Sequence, residues 1–207
     1  MAPLTLLIPA AGASLRMRGG DKLLELVDGV PMLRHQARLA RAVCDRVLVA
    51  LRPNDAARRA VIRDLALTLI DVADAKTGMA ASVRAGAALC AGRAMMILPA
   101  DMPDLTVADL RAVIGAYDQK PNQIIRATAQ DGTPGHPVIF PPDCLPMLRV
   151  VQGDEGARSV LAANRHRIHL IALPDQHALT DLDTPEDWAN WRSNRSLTGK
   201  ASNDDAV

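Results

Sequence analysis

The chain has 207 residues, of which 49% are hydrophobic and only 2% aromatic, and its formal net charge is +1. This length suits one domain whose core is built from aliphatic side chains. The balanced charge excludes the basic surface of a nucleic-acid-binding protein, and so few aromatic residues leave little for single-stranded bases to stack on.

The cysteines and the start of the chain predict a compartment. Cys44, Cys90 and Cys144 are odd in number and form no C-x-x-C pair, which favours free thiols over a disulfide framework or a zinc knuckle. The first residues lack the basic region of a signal peptide. Their apolar run stops at Gly12 and is too short to span a bilayer. We therefore predict a cytoplasmic protein with no membrane partner.

In the first part of the chain, short apolar runs alternate with longer helical patterns. The predicted strands are Leu4–Pro9, Arg46–Leu51, Leu67–Val72 and Ala94–Leu98. The predicted helices are Val30–Cys44, Asn54–Ala66 with Asn54 as N-cap, Met79–Ala91, and a helix capped by Thr106 that runs to about Tyr117. This alternation predicts an α/β fold, with a mostly parallel sheet covered by helices on both faces.

Beyond residue 120 the pattern is less regular. The predicted strands there are Ile124–Thr128, Val138–Phe140 and Ile168–Leu173, with a loop over Gln130–Pro137. The predicted helices are Pro142–Val151, Glu155–Ala163 and Thr184–Arg195. Neither a repeat nor a linker divides the chain, so we predict one domain over residues 1–195 and a polar, disordered tail over residues 196–207.

A turn rich in small residues follows the first strand, where open α/β sheets bind ligands. Small residues around Gly12 let a phosphate approach the backbone, and Arg16 and Lys22 are cations suited to phosphate oxygens. A flexible turn with solvated charges would show the same composition. Neither a dinucleotide fingerprint nor a Walker loop fits, because Ser14 stands where the former needs glycine and Asp21 precedes the lysine.

Acidic residues mark two further stretches. Asp101 ends the fourth strand before Met102-Pro103, and Mg²⁺ prefers one or two carboxylates together with phosphate oxygens. A carboxylate that caps a turn is the alternative for Asp101. Asp181 and Asp183 share one face of an extended segment, and Asp183 is the second metal candidate.

The residues after Asp183 have a simpler explanation. Thr184 and Pro185 suit the N-cap and first position of the last helix. Glu186 and Asp187 then lie in its first turn, where the helix dipole favours acidic side chains.

Six short motifs occur in an order that resembles the nucleotidyltransferases of molybdenum cofactor biosynthesis. They are Ala10-Ala11-Gly12 through Lys22, Gly78-Met79-Ala80-Ala81-Ser82-Val83, Asp101-Met102-Pro103, Gly135-His136-Pro137-Val138, Gly153-Asp154-Glu155-Gly156-Ala157-Arg158, and Asp181 to Asp187. Each motif alone is common, whereas six in this order are specific. The resemblance covers residue 4 to about residue 190.

The resemblance implies a Rossmann-like three-layer α/β/α sandwich of the GT-A-like nucleotidyltransferase type. It implies that a nucleotidyl group passes from an NTP to molybdopterin, with loss of pyrophosphate, and that a molybdoenzyme is a possible client. The residues it assigns to the nucleotide are Ala10, Ala11, Gly12, Arg16, Lys22, Gly78, Ser82 and Asp101, of which Lys22, Arg16 and Asp101 would be catalytic. Mg²⁺ would bind Asp101 and Asp183, and the acceptor would face His136, Asp154 and Arg158.

The choice of nucleotide depends on small differences. Ala-Ala-Gly at residues 10–12 resembles the cytidylyl branch more than the guanylyl branch, which favours CTP, and residues 78–80 point the same way. Pro9 and Arg18 depart from the family pattern. For His136, an acceptor contact and a backbone contact in a tight loop are equally good explanations.

Four other functions compete with this one. A guanylyltransferase or a sugar-phosphate nucleotidyltransferase would keep the same chemistry. A carrier or chaperone of the molybdenum cofactor would not need Lys22, Asp101 and Asp183 together. A nicotinamide-dependent dehydrogenase is disfavoured by the missing fingerprint.

Overall fold

The computed structural model describes residues 2–74, 79–153 and 156–204, with the backbone alone over 196–204. Its strands are β1 (Leu4–Pro9), β2 (Leu26–Val27), β3 (Val30–Pro31), β4 (Val47–Leu51), β5 (Thr68–Asp71), β6 (Ala94–Ile97), β7 (Ile124–Thr128), β8 (Pro134–Phe140) and β9 (Ile168–Ala172). Its helices are α1 (Met32–Arg41), α2 (Ala56–Ile62), α3 (Met79–Leu89), α4 (Val107–Gln119), α5 (Leu145–Leu148), α6 (Arg158–Ala163) and α7 (Pro185–Asp204).

One large sheet organises the molecule, with strand order β5-β4-β1-β6-β8-β7-β9. Only β8 runs antiparallel to its neighbours in this sheet, so the sheet is mostly parallel within the described ranges. The central strands β1, β4 and β6 are apolar, apart from the buried Thr5 of β1, and both of their faces are buried, as the sequence predicts for strands covered on both sides.

Helices pack on both faces of the sheet. The core on one face contains residues of α1, α4 and α7, and the core on the other contains residues of α3, α5 and α6. The helix α3 approaches the sheet closely, because a Cβ at Gly86 would lie 2.6 Å from Leu7 Cδ2. The predicted three-layer α/β/α sandwich is therefore confirmed.

The starts of two helices differ from the prediction. The first begins at Met32 rather than Val30, because Val30–Pro31 pairs with Leu26–Val27 in a short hairpin. Its turn is Asp28-Gly29 with both φ angles positive, a two-residue turn that the Asp-Gly pair could have predicted. The helix α2 is capped by Asp55, whose side chain accepts from Arg58 N, and not by Asn54.

The third helix and the fourth begin as predicted, at Met79 and after Thr106. Thr106 and Asp109 form a full capping box, with each side chain bonded to the other's backbone N–H.

The second half of the chain differs more. The predicted loop over Gln130–Pro137 is wrong at its end, because β8 begins at Pro134 and includes His136. The predicted helix Pro142–Val151 is a 3-10 turn followed by the single-turn α5. The final helix continues to Asp204 and does not end at Arg195, so the predicted tail begins inside it, while residues 205–207 lie outside the described ones. None of the described helices is long and apolar enough to cross a membrane.

Candidate active site

Three separate segments meet at the carboxyl ends of β1 and β6. These strands are parallel neighbours, so the residues that follow them lie side by side. The segment after β1, residues 10–22, is called here the first loop. The turn after β6 carries Asp101, whose carbonyl oxygen accepts a hydrogen bond from Leu182 N at 3.2 Å. That bond brings the segment before α7, including Asp183, to the same edge of the sheet.

The ammonium group of Lys22 lies between two carboxylates. Lys22 Nζ donates to Asp183 Oδ1 at 2.6 Å and to Asp101 Oδ2. Arg16 Nη1 pairs with Asp183 Oδ2 at 2.7 Å. Burial lowers the pKa of Lys22, but the two carboxylates outweigh it and hold that pKa above its ordinary value, so the lysine stays charged. Asp101, Asp183 and the lysine after Gly12 thus converge as the sequence analysis requires.

A buried arginine forms hydrogen bonds with both ends of the first loop. Arg58, on α2, is 0% exposed and forms a bidentate pair with Asp21, with both N···O distances at 2.8 Å. It also donates to the carbonyl oxygens of Ala10 and Gly12 at 2.7 and 2.8 Å. Burial raises the pKa of Asp21, but the hydrogen bond and the charge of Arg58 outweigh this effect and hold that pKa below its ordinary value. Arg58 is not among the residues predicted from the sequence, because no local pattern signals its distant partner.

A cavity of about 360 Å³ lies beside Asp101. Its walls include His136 and Arg158, two of the residues predicted for the acceptor, together with Asp101 itself. The third predicted acceptor residue, Asp154, lies outside the described residues, as does Gly78. Ser82 is buried in α3 and does not line this cavity. The structure therefore places two of the residues predicted for the acceptor in one cavity with Asp101, and the acceptor role and the base contacts stay predictions.

The position of His136 depends on a close approach of two backbones. His136 N donates to Ala178 O at 2.9 Å, and a Cβ on Gly135 would collide with the same carbonyl group, so only glycine fits there. Burial, helped by the charges of Arg126 and Arg158, lowers the pKa of His136 to about 4, against a smaller opposite effect of Asp101. The imidazole is therefore neutral at neutral pH.

Two charged residues of this cavity were not selected from the sequence. Arg126, in β7, lines the cavity and donates from Nε to Gly135 O at 3.1 Å. A lone arginine within the apolar run Ile124–Thr128 is a local signal that could have indicated a functional position. Asp181 also lines the cavity, and burial together with Asp101 and Asp183 raises its pKa.

A buried glutamine supports the turn after β6. Gln36, on α1, is 0% exposed and donates from Nε2 to the carbonyl oxygen of Met102. A polar side chain on the apolar face of a predicted helix could have indicated this contact.

The acidic residues that follow Asp183 have structural roles. Asp187 Oδ2 accepts from the backbone N–H of Thr184 at 2.8 Å, and Thr184 Oγ1 accepts from Asp187 N at 3.1 Å, which is a capping box at the start of α7. Glu186 pairs with Arg18 at 2.8 Å and ties the first loop to this helix. Among the described residues, no group of three or more His, Cys, Asp or Glu could hold a metal ion by itself.

The sequence resembles known proteins over most of its length. Residues 6–168 match the family model of the MobA-like NTP transferase domain. A probable molybdenum cofactor guanylyltransferase of Rhodopirellula baltica is 30% identical over 192 residues, which cover 89% of this chain and 90% of that protein. A molybdenum cofactor guanylyltransferase of Pseudomonas aeruginosa is 29% identical over 198 residues, covering 93% and 96% of the two chains.

Solved structures share the fold. Rv0371c of Mycobacterium tuberculosis superposes with a TM-score of 0.79 at 24% identity, covering 92% of this chain and 97% of that one. A manganese complex of the same protein gives 0.75 at 23% identity, covering 91% and 97%. A nucleotidyl transferase of Methanothermobacter gives 0.78 at 16% identity, covering 95% and 99%. At these identities the likeness shows the fold alone.

Proposed function

Because this chain belongs to the MobA-like NTP transferase family, we propose that it transfers a nucleotidyl group from an NTP to the phosphate of molybdopterin and releases pyrophosphate. The observation that carries the proposal is the position of Lys22 between Asp101 and Asp183. This cluster has the first loop on one side and the cavity of His136 and Arg158 on the other. A reaction between a triphosphate and a second anionic substrate needs a binding region for each substrate, with charged groups between the two.

The proposed step needs no strong base. A phosphomonoester has a second pKa of about 6 and is already ionised at neutral pH. Its oxygen forms the new bond to the α-phosphorus of the NTP while the bond from that phosphorus to pyrophosphate breaks. The enzyme's task is therefore to align the two substrates and to balance the charge of the leaving group. Lys22 and Arg16 would balance that charge.

The first loop is suited to the triphosphate. A Cβ on Gly12 would meet nothing within 4 Å, so the backbone at Gly12 has open space beside it for phosphate oxygens, while Ala10 and Ala11 before it are buried. We extend the proposal to the nucleoside, with Gly78, which lies outside the described residues, and Ser82 of α3 near the base. For the acceptor, the cationic side chains Arg158 and Arg126 suit an anionic pterin.

The donor set also fits a divalent cation. Asp101 and Asp183 already share one cation, the ammonium of Lys22, and both offer hard carboxylate oxygens. Mg²⁺ commonly takes only one or two carboxylates and fills its shell with phosphate oxygens and water, so a third protein ligand is not needed. When bound, it would supply Lewis-acid stabilisation of phosphoryl oxygens. The manganese complex of Rv0371c supports a divalent ion in this fold.

The relatives support GTP as the nucleotide. Both relatives described above are named guanylyltransferases, which favours the guanylyl alternative over the CTP preference drawn from residues 10–12 and 78–80. CTP stays the second candidate, because Ala10-Ala11-Gly12 carries alanine where the guanylyl pattern has glycine.

A nucleotide panel tests the proposal. Purified protein with Mg²⁺ and molybdopterin is incubated with GTP, CTP or ATP, and the release of pyrophosphate and the nucleotidyl-pterin product are both measured. We expect product with GTP, at a rate well above that with CTP. Sugar phosphates replace molybdopterin as control acceptors. Pterin binding without pyrophosphate release from any nucleotide would instead identify a carrier of the cofactor. If product formed with a sugar phosphate and not with molybdopterin, the acceptor would be a sugar phosphate.

A further inference from the structure

We propose that Arg58 is a positioning residue, which fixes the first loop so that its backbone N–H groups face the triphosphate. The inference rests on the proposed function, since it assigns this loop to the nucleotide. Arg58 itself is 0% exposed, and its side-chain hydrogen bonds all go to the first loop. It therefore acts through the loop and does not touch substrate.

The guanidinium group of Arg58 uses all of its hydrogen-bonding capacity on this loop. An arginine side chain has five N–H donors. Nε and one Nη2 donor bind the carboxylate of Asp21, and the other Nη2 donor binds Ser14 Oγ at 3.1 Å. The two Nη1 donors bind the carbonyl oxygens of Ala10 and Gly12. A planar fork that contacts four points of one loop fixes its shape more firmly than a single contact does.

Holding these two carbonyl groups also sets the direction of two N–H groups. In a trans peptide, the C=O of one residue and the N–H of the next point in opposite directions. Because the carbonyls of Ala10 and Gly12 point at Arg58, the N–H groups of Ala11 and Ala13 point away from it. Within the described part of the chain, neither N–H has a hydrogen-bond partner. Backbone N–H groups arranged in this way form an anion-binding site.

The same contact positions the lysine of the site. Asp21 immediately precedes Lys22, and its Oδ1 also accepts from Leu23 N at 3.0 Å. Both ends of the first loop are therefore tied to one guanidinium group, at Ala10 and at Asp21. Since Ser14 Oγ also donates to Asp21 Oδ1 at 3.2 Å, the middle of the loop joins the same network.

The test compares two neighbouring arginines of α2. Arg58→Lys keeps the charge but replaces the planar fork by one nitrogen, which cannot reach the two carbonyls and the carboxylate together. Arg59→Lys is the matched control, because Arg59 pairs with the exposed Asp71 away from the loop. Kinetics are measured with each substrate varied in turn, and binding of GTP, GMP and inorganic pyrophosphate is measured by calorimetry. Circular dichroism checks that each variant is folded.

We expect Arg58→Lys to raise the KM and Kd for GTP by about tenfold, the contribution of one charge-assisted hydrogen bond. Binding of pyrophosphate should weaken equally, and the KM for the pterin should stay unchanged. Because this effect falls on ligands with a diphosphate, a general loss of stability would not reproduce it. Arg59→Lys should behave as the wild type.

A second variant covers the case in which Arg58→Lys does not fold. Asp21→Asn keeps the size of the side chain but weakens the pair with Arg58, so it should raise the Kd for pyrophosphate severalfold. A folded variant of either kind with wild-type constants for GTP and pyrophosphate overturns the inference. Failure of the proposed function is a separate result, since wild-type protein would then form no nucleotidyl-pterin product although it still binds pyrophosphate through the first loop.

Discussion

The two sides of the site balance their charges differently. In the first loop, each cation is paired with a carboxylate, as Lys22 is with Asp101 and Asp183, and Arg58 of α2 pairs with Asp21 of the same loop. In the cavity, Arg126 donates only to backbone carbonyl oxygens within the described residues. The first loop is therefore held in shape by ion pairs. Arg126 has no carboxylate partner among the described residues, although Asp101 and Asp181 line the same cavity.

This contrast predicts that changes on the loop side affect turnover, while changes on the cavity side affect acceptor binding. The largest effect is expected at the residue that belongs to both sides. Asp101 lines the cavity and pairs with Lys22. Asp101→Ala should lower kcat at least 10³-fold in Mg²⁺ with the fold retained, because it removes a proposed metal ligand.

Steady-state pyrophosphate release measures this effect, with Asp118→Ala as a control on the surface near the N-terminus. A folded Asp101→Ala protein with a near-normal rate would remove the metal assignment.

The next largest effect belongs to the loop side alone. Lys22→Ala removes the cation that both carboxylates share, so it should lower kcat/KM for the NTP by about 10²–10³-fold. The KM for the pterin should change much less, since Lys22 does not line the cavity. Lys120→Ala, at an exposed lysine next to His169, is the matched control. An unchanged kcat/KM for the NTP would rule out this role for Lys22.

On the cavity side, the lowered pKa of His136 predicts how the stability of the protein depends on pH. Its pKa of about 4 in the folded protein lies below the ordinary 6.5, so the unfolded chain binds more protons between these values. The free energy of unfolding should therefore fall as pH falls from 6.5 towards 4. Because His136 is half-buried as a residue, we expect a loss of about 2 kcal/mol.

Urea denaturation at a series of pH values measures this loss, and His136→Gln should reduce its slope in that range. Equal slopes for the two proteins would show that the ring titrates normally and is not held neutral.

The smallest effect concerns the acceptor alone. Arg126→Gln should raise the KM for the pterin by about tenfold and leave the KM for the NTP unchanged, because Arg126 lines the cavity and not the first loop. Arg165→Gln, at an exposed arginine, is the control. If Arg126→Gln instead raised the KM for the NTP, the division of the site into two sides would be wrong.

Some parts of the site could be predicted from the sequence because their signals are local. Lys22, Asp101 and Asp183 follow or precede predicted elements, and the structure brings the three together. Gly78 and Asp154 fall outside the described residues, and the single domain over residues 1–195 stays a prediction. The preference for CTP came from one or two small residues, which is too little to fix a nucleotide.

The buried strands, the helices on both faces of the sheet and the acidic and basic residues of the site could be predicted from sequence, since apolar runs and strand ends are properties of neighbouring residues. Which side chains contact each other is known from the three-dimensional fold alone. Arg58 is 37 positions from Asp21. The strand β8 includes His136 because it pairs with β6 and β7. Such contacts depend on partners distant in sequence, and a local pattern carries no information about them.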